Sequence, residues 1–136
     1  MERFFFVLGA LFAFIGVAAG AFGAHDLKSQ LSADMLSVFE VGVRYQMYHA
    51  FALIATAFLQ SRRPSMMVIV GGWLFTANRV LFSGSLYLLS FGGPRWFGAI
   101  TPLGGVAFLV GWLCLALAAE TAWVTRGLYP QVTCSG

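Results

Sequence analysis

Four apolar stretches, residues 4–24, 41–59, 66–90 and 99–119, set the terms for this chain. A helix needs about 20 consecutive apolar residues to cross the ~30 Å hydrocarbon core of a bilayer, and each stretch is near that length. Transmembrane β-strands are about half as long and alternate in polarity, which these stretches do not. Composition agrees: of 136 residues 60% are hydrophobic and only 10% are charged, where a soluble domain carries about 25% charge. The predicted fold is therefore all-α and membrane-embedded. It is a four-transmembrane-helix bundle with an amphipathic segment between helices 1 and 2, in one domain over residues 1–120 followed by a short tail, 121–136. The net charge of +3 is small, and the basic residues stand singly except for Arg62 and Arg63. No basic stripe marks a nucleic-acid partner. Cys114 lies within the fourth stretch and Cys134 in the tail, a spacing that suits neither a disulfide nor a metal motif.

The first stretch follows Arg3 and ends near Ala21-Phe22-Gly23, so it has some likeness to a signal peptide. It is long enough to span, however, and is read as helix 1. Gly9, Ala13, Gly16, Gly20 and Ala24 step along it by three or four residues. Such a stripe lets helix backbones approach closely in a medium where no hydrophobic force draws helices together. Gly104, Gly111 and Ala118 give helix 4 a similar face. Between helices 1 and 2 the chain turns polar, yet Leu27, Leu31, Met35, Phe39 and Val43 recur every four residues. Ser32 followed by Ala33 and Asp34 reads as a helix N-cap with an acid in the first turn. An amphipathic helix from about Ala33, continuous with helix 2, is expected; a re-entrant segment is the alternative. Pro64 breaks the chain before helix 3, and Pro102 suits a first turn for a helix 4 that starts near residue 100.

Helix 2 carries the densest chemistry. Glu40, Arg44 and Tyr48 fall at i, i+4 and i+8, with Tyr45 and His49 as a second pair beside them. Placed by depth, these residues share one end of the bundle with His25, Ser83, Tyr87 and Thr101. Two readings stay open. Either the groups line a polar cavity open to the outer leaflet, or they hydrogen-bond to one another and fix helix register. Arg79 lies in the middle of the third stretch, where an unpaired arginine costs at least ~2.5 kcal/mol. It is expected to face the bundle interior or a subunit interface, with snorkelling to an interface as the alternative. No metal-ligand spacing, nucleophile elbow, zincin motif or phosphate loop is present, so neither an enzyme nor a cofactor is expected. Arg3, Arg62, Arg63 and Arg126 on one side against Lys28, Arg44 and Arg95 on the other favour cytoplasmic termini.

Gly-Ala-Phe-Gly-Ala-His at 20–25, Arg-Tyr-Gln-Met-Tyr-His at 44–49, Leu-Phe-Ser-Gly-Ser-Leu-Tyr at 81–87, Ile-Thr-Pro-Leu-Gly-Gly at 100–105 and Gly-Trp at 111–112 form an ordered set. The chain resembles, over residues 1–118, the bacterial inner-membrane family catalogued as domain of unknown function 423, the UPF0382 type. The resemblance implies a four-helix protein of the bacterial inner membrane, and it carries over no catalytic residue or cofactor. The chain departs from that pattern at Asn78-Arg79 and in its longer tail, which keeps open a role as accessory subunit of a larger membrane complex. The leading expectation is a non-enzymatic protein that packs against membrane lipid, a second copy of itself or other subunits. A small transporter or channel using the polar cavity is the alternative.

Overall fold

A computed structural model describes residues 1–128, and the side chains of all of these except residues 100 and 121–128. The described residues form four helices, α1 (Glu2–His25), α2 (Ala33–Arg62), α3 (Met66–Ser90) and α4 (Phe97–Leu128), with a short 3-10 turn (Leu27–Ser29) between α1 and α2. No strand occurs among the described residues. α1, α3 and the Phe97–Glu120 part of α4 are each long and apolar enough to cross a membrane. At 30 residues α2 is about 45 Å long, ample to span. Its apolar character is diluted by Gln46, His49 and Gln60, but those three are buried inside the bundle, His49 beneath Phe108 of α4.

Short connections force neighbouring helices antiparallel. Gly9 sits against Ala50 and Gly23 against Phe39; Gly42 sits against Tyr87, Gly71 against Gly111, and Gly104 against Asn78. α2 and α3 form the inner pair. α1 lies on one flank, with Phe5 over Gly72 and Trp73. α4 lies on the other, with Phe108 stacked on His49 and packed against Phe82. The apolar core runs between the inner pair and both flanks through Phe5, Leu53, Phe75, Phe82, Phe108 and Leu115. Outward, the outer helices show large side chains such as Phe14, 74% exposed, and Leu103, 72% exposed. In a bilayer these are the groups that belong there.

The chain ends its helices by local chemistry. Ser32 caps α2, its Oγ accepting from the Met35 N–H at 3.4 Å, and Ser65 caps α3 through the Met67 N–H at 3.2 Å. The amphipathic entry expected from Ala33 is thus present, and Leu27 of the 3-10 turn is buried beneath it. At the far end of α3, Gly92 has φ +86°. Gly93 N–H donates to Leu88 O at 2.8 Å and Gly92 N–H to Leu89 O at 3.2 Å. This is the Schellman closure, which needs a residue in the left-handed region.

Two boundaries differ from expectation. α4 begins at Phe97 rather than near residue 100, because three successive turns (Phe97 N–H to Pro94 O, Gly98 to Arg95, Ala99 to Trp96) wind it up first. Pro102 therefore lies inside the helix, beyond its first turn. At the other end α4 continues to Leu128, into the segment read from sequence as tail. Residues 129–136, with Cys134, lie outside the described residues, as does the side chain of Arg126. Cys114 is a free, half-buried thiol beside Gly71.

Candidate functional site

α2 presents two polar faces. Glu40, Arg44 and Tyr48 occupy one, and all three are exposed. Gln46 follows Arg44 by two residues, about 200° round the helix, and with His49, Thr56 and Gln60 it is buried. The inner face steps Gln46, His49, Leu53, Thr56, Gln60 by three and four, the spacing of a packing seam. Reading by charge alone selects the outer face. Reading for the small residues that share the inner one, Gly42, Ala50 and Ala57, finds the seam.

Hydrogen bonds tie the inner face to α1 and α3, and a further one ties α3 to α4. Gln46 Nε2 donates to Phe12 O of α1 at 3.1 Å, and its Oε1 accepts from Tyr87 OH of α3 at 2.9 Å. Ser83 Oγ donates to Gly42 O at 3.1 Å. Asn78, next in α3, donates through Nδ2 to the Gly104 carbonyl of α4. Each bond joins a polar side chain to a neighbouring helix. His49 Nδ1 lies 2.8 Å from Tyr45 O, which places its proton there and leaves Nε2 as the ring's acceptor. Its ring stacks on Phe108 with centroids 3.3 Å apart.

Arg79 is 2% exposed. Its guanidinium lies over the Phe12 ring, Cζ 3.6 Å from the centroid. Nη1 and Nη2 are both buried without a hydrogen-bond partner, as is Asn78 Oδ1. Arg79 thus faces the bundle interior, with neither Nη bonded to a backbone carbonyl or to a polar group of α2.

The polar groups grouped from sequence do not share one cavity. Glu40 and Arg44 line a cleft of about 240 Å³ between α1 and α2. Tyr45, Tyr48 and His49 line an aromatic cleft of about 650 Å³ between α2 and α4, together with Phe108 and Trp112. Arg79, Ser83 and Tyr87 line a third of about 180 Å³ with Gln46 and Phe12. Thr101 turns its hydroxyl back to Phe97 O at 3.4 Å, and His25 is exposed at the end of α1. Helical geometry explains the division: neighbours at i and i+4 share a face, but three helices pack against α2 and claim different faces. Gln46 and Asn78 are the members that a reading by charge leaves out. No group of three metal-ligating side chains occurs among the described residues.

The small residues behave differently. A Cβ on Gly9 would stand 2.9 Å from Ala50 O, and one on Gly16 2.6 Å from Met47 Sδ. On Gly104 and Gly111 it would meet Asn78 and Phe75 at 2.8 and 2.7 Å. Gly20 has ordinary contact with Val43, and Ala13 is half-buried. Ala24 is exposed, while Gly23, outside the sequence stripe, is buried under Phe39. The stripes of α1 and α4 thus serve packing within the chain, against α2 and α3.

Comparison with known proteins places this architecture. The family described as "Protein of unknown function (DUF423)" matches residues 19–105. The chain is 47% identical over 118 residues to the UPF0382 membrane protein YwdK of Bacillus subtilis, covering 86% of this chain and 96% of that protein. It is 50% identical over 115 residues to the UPF0382 membrane protein SSP2132 of Staphylococcus saprophyticus, 85% of this chain and 95% of the relative. With the UPF0382 inner membrane protein YgdD of Escherichia coli it shares 38% over 118 residues, 87% and 90% of the two. No solved structure matches. The match spans the loop, the α2 seam, Arg79 and the start of α4 alike, and the chain belongs to the DUF423 family of helical membrane proteins.

Proposed function

We propose that the protein is a non-enzymatic, multi-pass protein of the bacterial inner membrane that acts as an accessory subunit, docking by helix faces on lipid, on a second copy of itself or on a larger complex. The observation that carries this reading is the openness of the flanks. α1 and α4 each meet the inner pair on one side and leave long apolar faces largely uncovered, with Phe6, Phe14, Leu109 and Leu113 all more than half exposed. The inner polar groups support it too, because Gln46, Ser83 and Asn78 are engaged in holding helices together rather than turned towards a common reaction centre. The name of the Escherichia coli relative supports the inner-membrane location, and the arginine bias supports cytoplasmic termini. The division of the polar groups among three clefts counts against the alternative of a small transporter or channel.

The test is extraction from native membrane into polymer nanodiscs, followed by native mass spectrometry. A reproducible dimer, a co-extracted subunit or a tightly held lipid is expected. A bare monomer with no retained molecule refutes the reading.

A further inference from the structure

Arg79 stands 13 residues from Met66, about 20 Å along α3, and 11 from Ser90, about 16 Å. Its charge is thus near the middle of the span. Taking an ion out of water costs several kcal/mol in a real protein, and a cation over an aromatic ring returns ~0.5–2 kcal/mol. Phe12 therefore does not balance Arg79. Nor does a carboxylate: all five acidic residues, Glu2, Asp26, Asp34, Glu40 and Glu120, are exposed, and none lines the Arg79 cleft. The remaining polar groups of the cleft are committed. The Tyr87 hydroxyl donates to Gln46, Ser83 to Gly42 O, and Gln46 to Phe12 O. What is left over is a pair of guanidinium donors, nine-tenths buried and unpartnered, against a cleft of about 180 Å³. A cleft of that size is roomy enough for an oxyanion and its first carbons.

We propose that this cleft binds a singly charged anionic head group, a carboxylate or a phosphodiester, presented sideways from the bilayer, with Nη1 and Nη2 of Arg79 as its paired donors. Two parallel N–H groups match the two oxygens of either group. The oxygens of Ser83 and Tyr87, whose protons are given elsewhere, oppose a second negative charge and so select against a phosphate monoester. The rim decides the approach: Ile15 and Val80 are exposed at 49% and 63%, a surface for an acyl chain rather than for water. Phe12, half-buried on outer helix α1, forms the wall of the cleft that faces the guanidinium. The site does not depend on whether the chain assembles with partners.

The test is native mass spectrometry of the full chain in neutral detergent, titrated with oleate, phosphatidylglycerol, phosphatidylcholine or inorganic phosphate. Oleate or phosphatidylglycerol should bind one to one, at least tenfold more tightly than phosphatidylcholine. Preference for oleate assigns a fatty-acid source, and preference for phosphatidylglycerol a phospholipid one. Arg79→Gln should weaken that binding at least tenfold. Gly84→Leu should do the same with Arg79 intact, since Gly84 lines the cleft and a Cβ there meets nothing within 4 Å, leaving room for the side chain to enter it. This second variant keeps the test valid if Arg79→Gln fails to fold. Equal binding by all three proteins, no one-to-one adduct, or binding of inorganic phosphate alone would overturn the proposal.

Discussion

Two glycines on this framework should respond in opposite ways to the same substitution. At Gly9 an added Cβ would lie 2.9 Å from the Ala50 carbonyl oxygen, 2.9 Å from Ile54 Cγ1 and 3.2 Å from the Ile54 nitrogen. Two of those three atoms are backbone, so relief requires α1 to move bodily away from α2 by about half an ångström. A gap of that order forfeits about a quarter or more of each contact along the interface, and overpacking of this kind typically costs about 1–3 kcal/mol. At Gly84 a Cβ meets nothing within 4 Å. Both positions are helical, so both alanines gain the same ~1 kcal/mol of helix propensity over glycine. That term cancels in the difference, which isolates the steric contribution. Gly9→Ala should be less stable than Gly84→Ala by about 1–3 kcal/mol, with Gly84→Ala at or above the wild type. Reversible unfolding in bicelles, read by steric trapping or by helicity, measures both. Equal shifts in the two variants, or a more stable Gly9→Ala, would refute the claim that backbone contact holds α1 on α2.

Gln46→Leu removes two interhelical bonds, each worth ~0.6 kcal/mol on average in membrane proteins, and leaves the Tyr87 hydroxyl without its acceptor. A loss of about 1–3 kcal/mol in the same unfolding assay is expected, and unchanged stability would show that the Gln46 bonds are dispensable. Combined with Tyr87→Phe it should show a coupling above ~0.5 kcal/mol. Gly92→Ala places a Cβ on a residue at φ +86° and should cost about 1 kcal/mol despite the open space around it. Gly92→Asn, which tolerates the left-handed region better, should recover part of that loss, and equal losses in the two would remove the backbone explanation.

How far the chain discloses itself differs between elements. Apolar run length settled the helices, because in a medium without water each backbone group must bond within its own segment. The caps at Ser32 and Ser65 and the turn at Gly92 were likewise local matters, decided by a hydroxyl or a missing Cβ within three residues of the helix end. Small residues marked α1 and α4 as close-packing helices, although they could not say against what; the answer is the inner pair. The polar site was only partly legible. Glu40, Arg44 and Tyr48 formed the more conspicuous pattern, yet the buried face of α2 belongs to Gln46 and His49. Charge pattern on a single helix does not choose between its faces, and although Gly42, Ala50 and Ala57 mark the packed one, they do not say which neighbours press on it. Only the packing of α1, α3 and α4 about α2 decided that Gln46 would reach Phe12 and Tyr87 and that Glu40 and Arg44 would open into a separate cleft. The same packing sealed Arg79 over Phe12 with no carboxylate in reach. Length and periodicity act along one helix and are written in its residues, whereas partnership between polar side chains is a property of several helices at once.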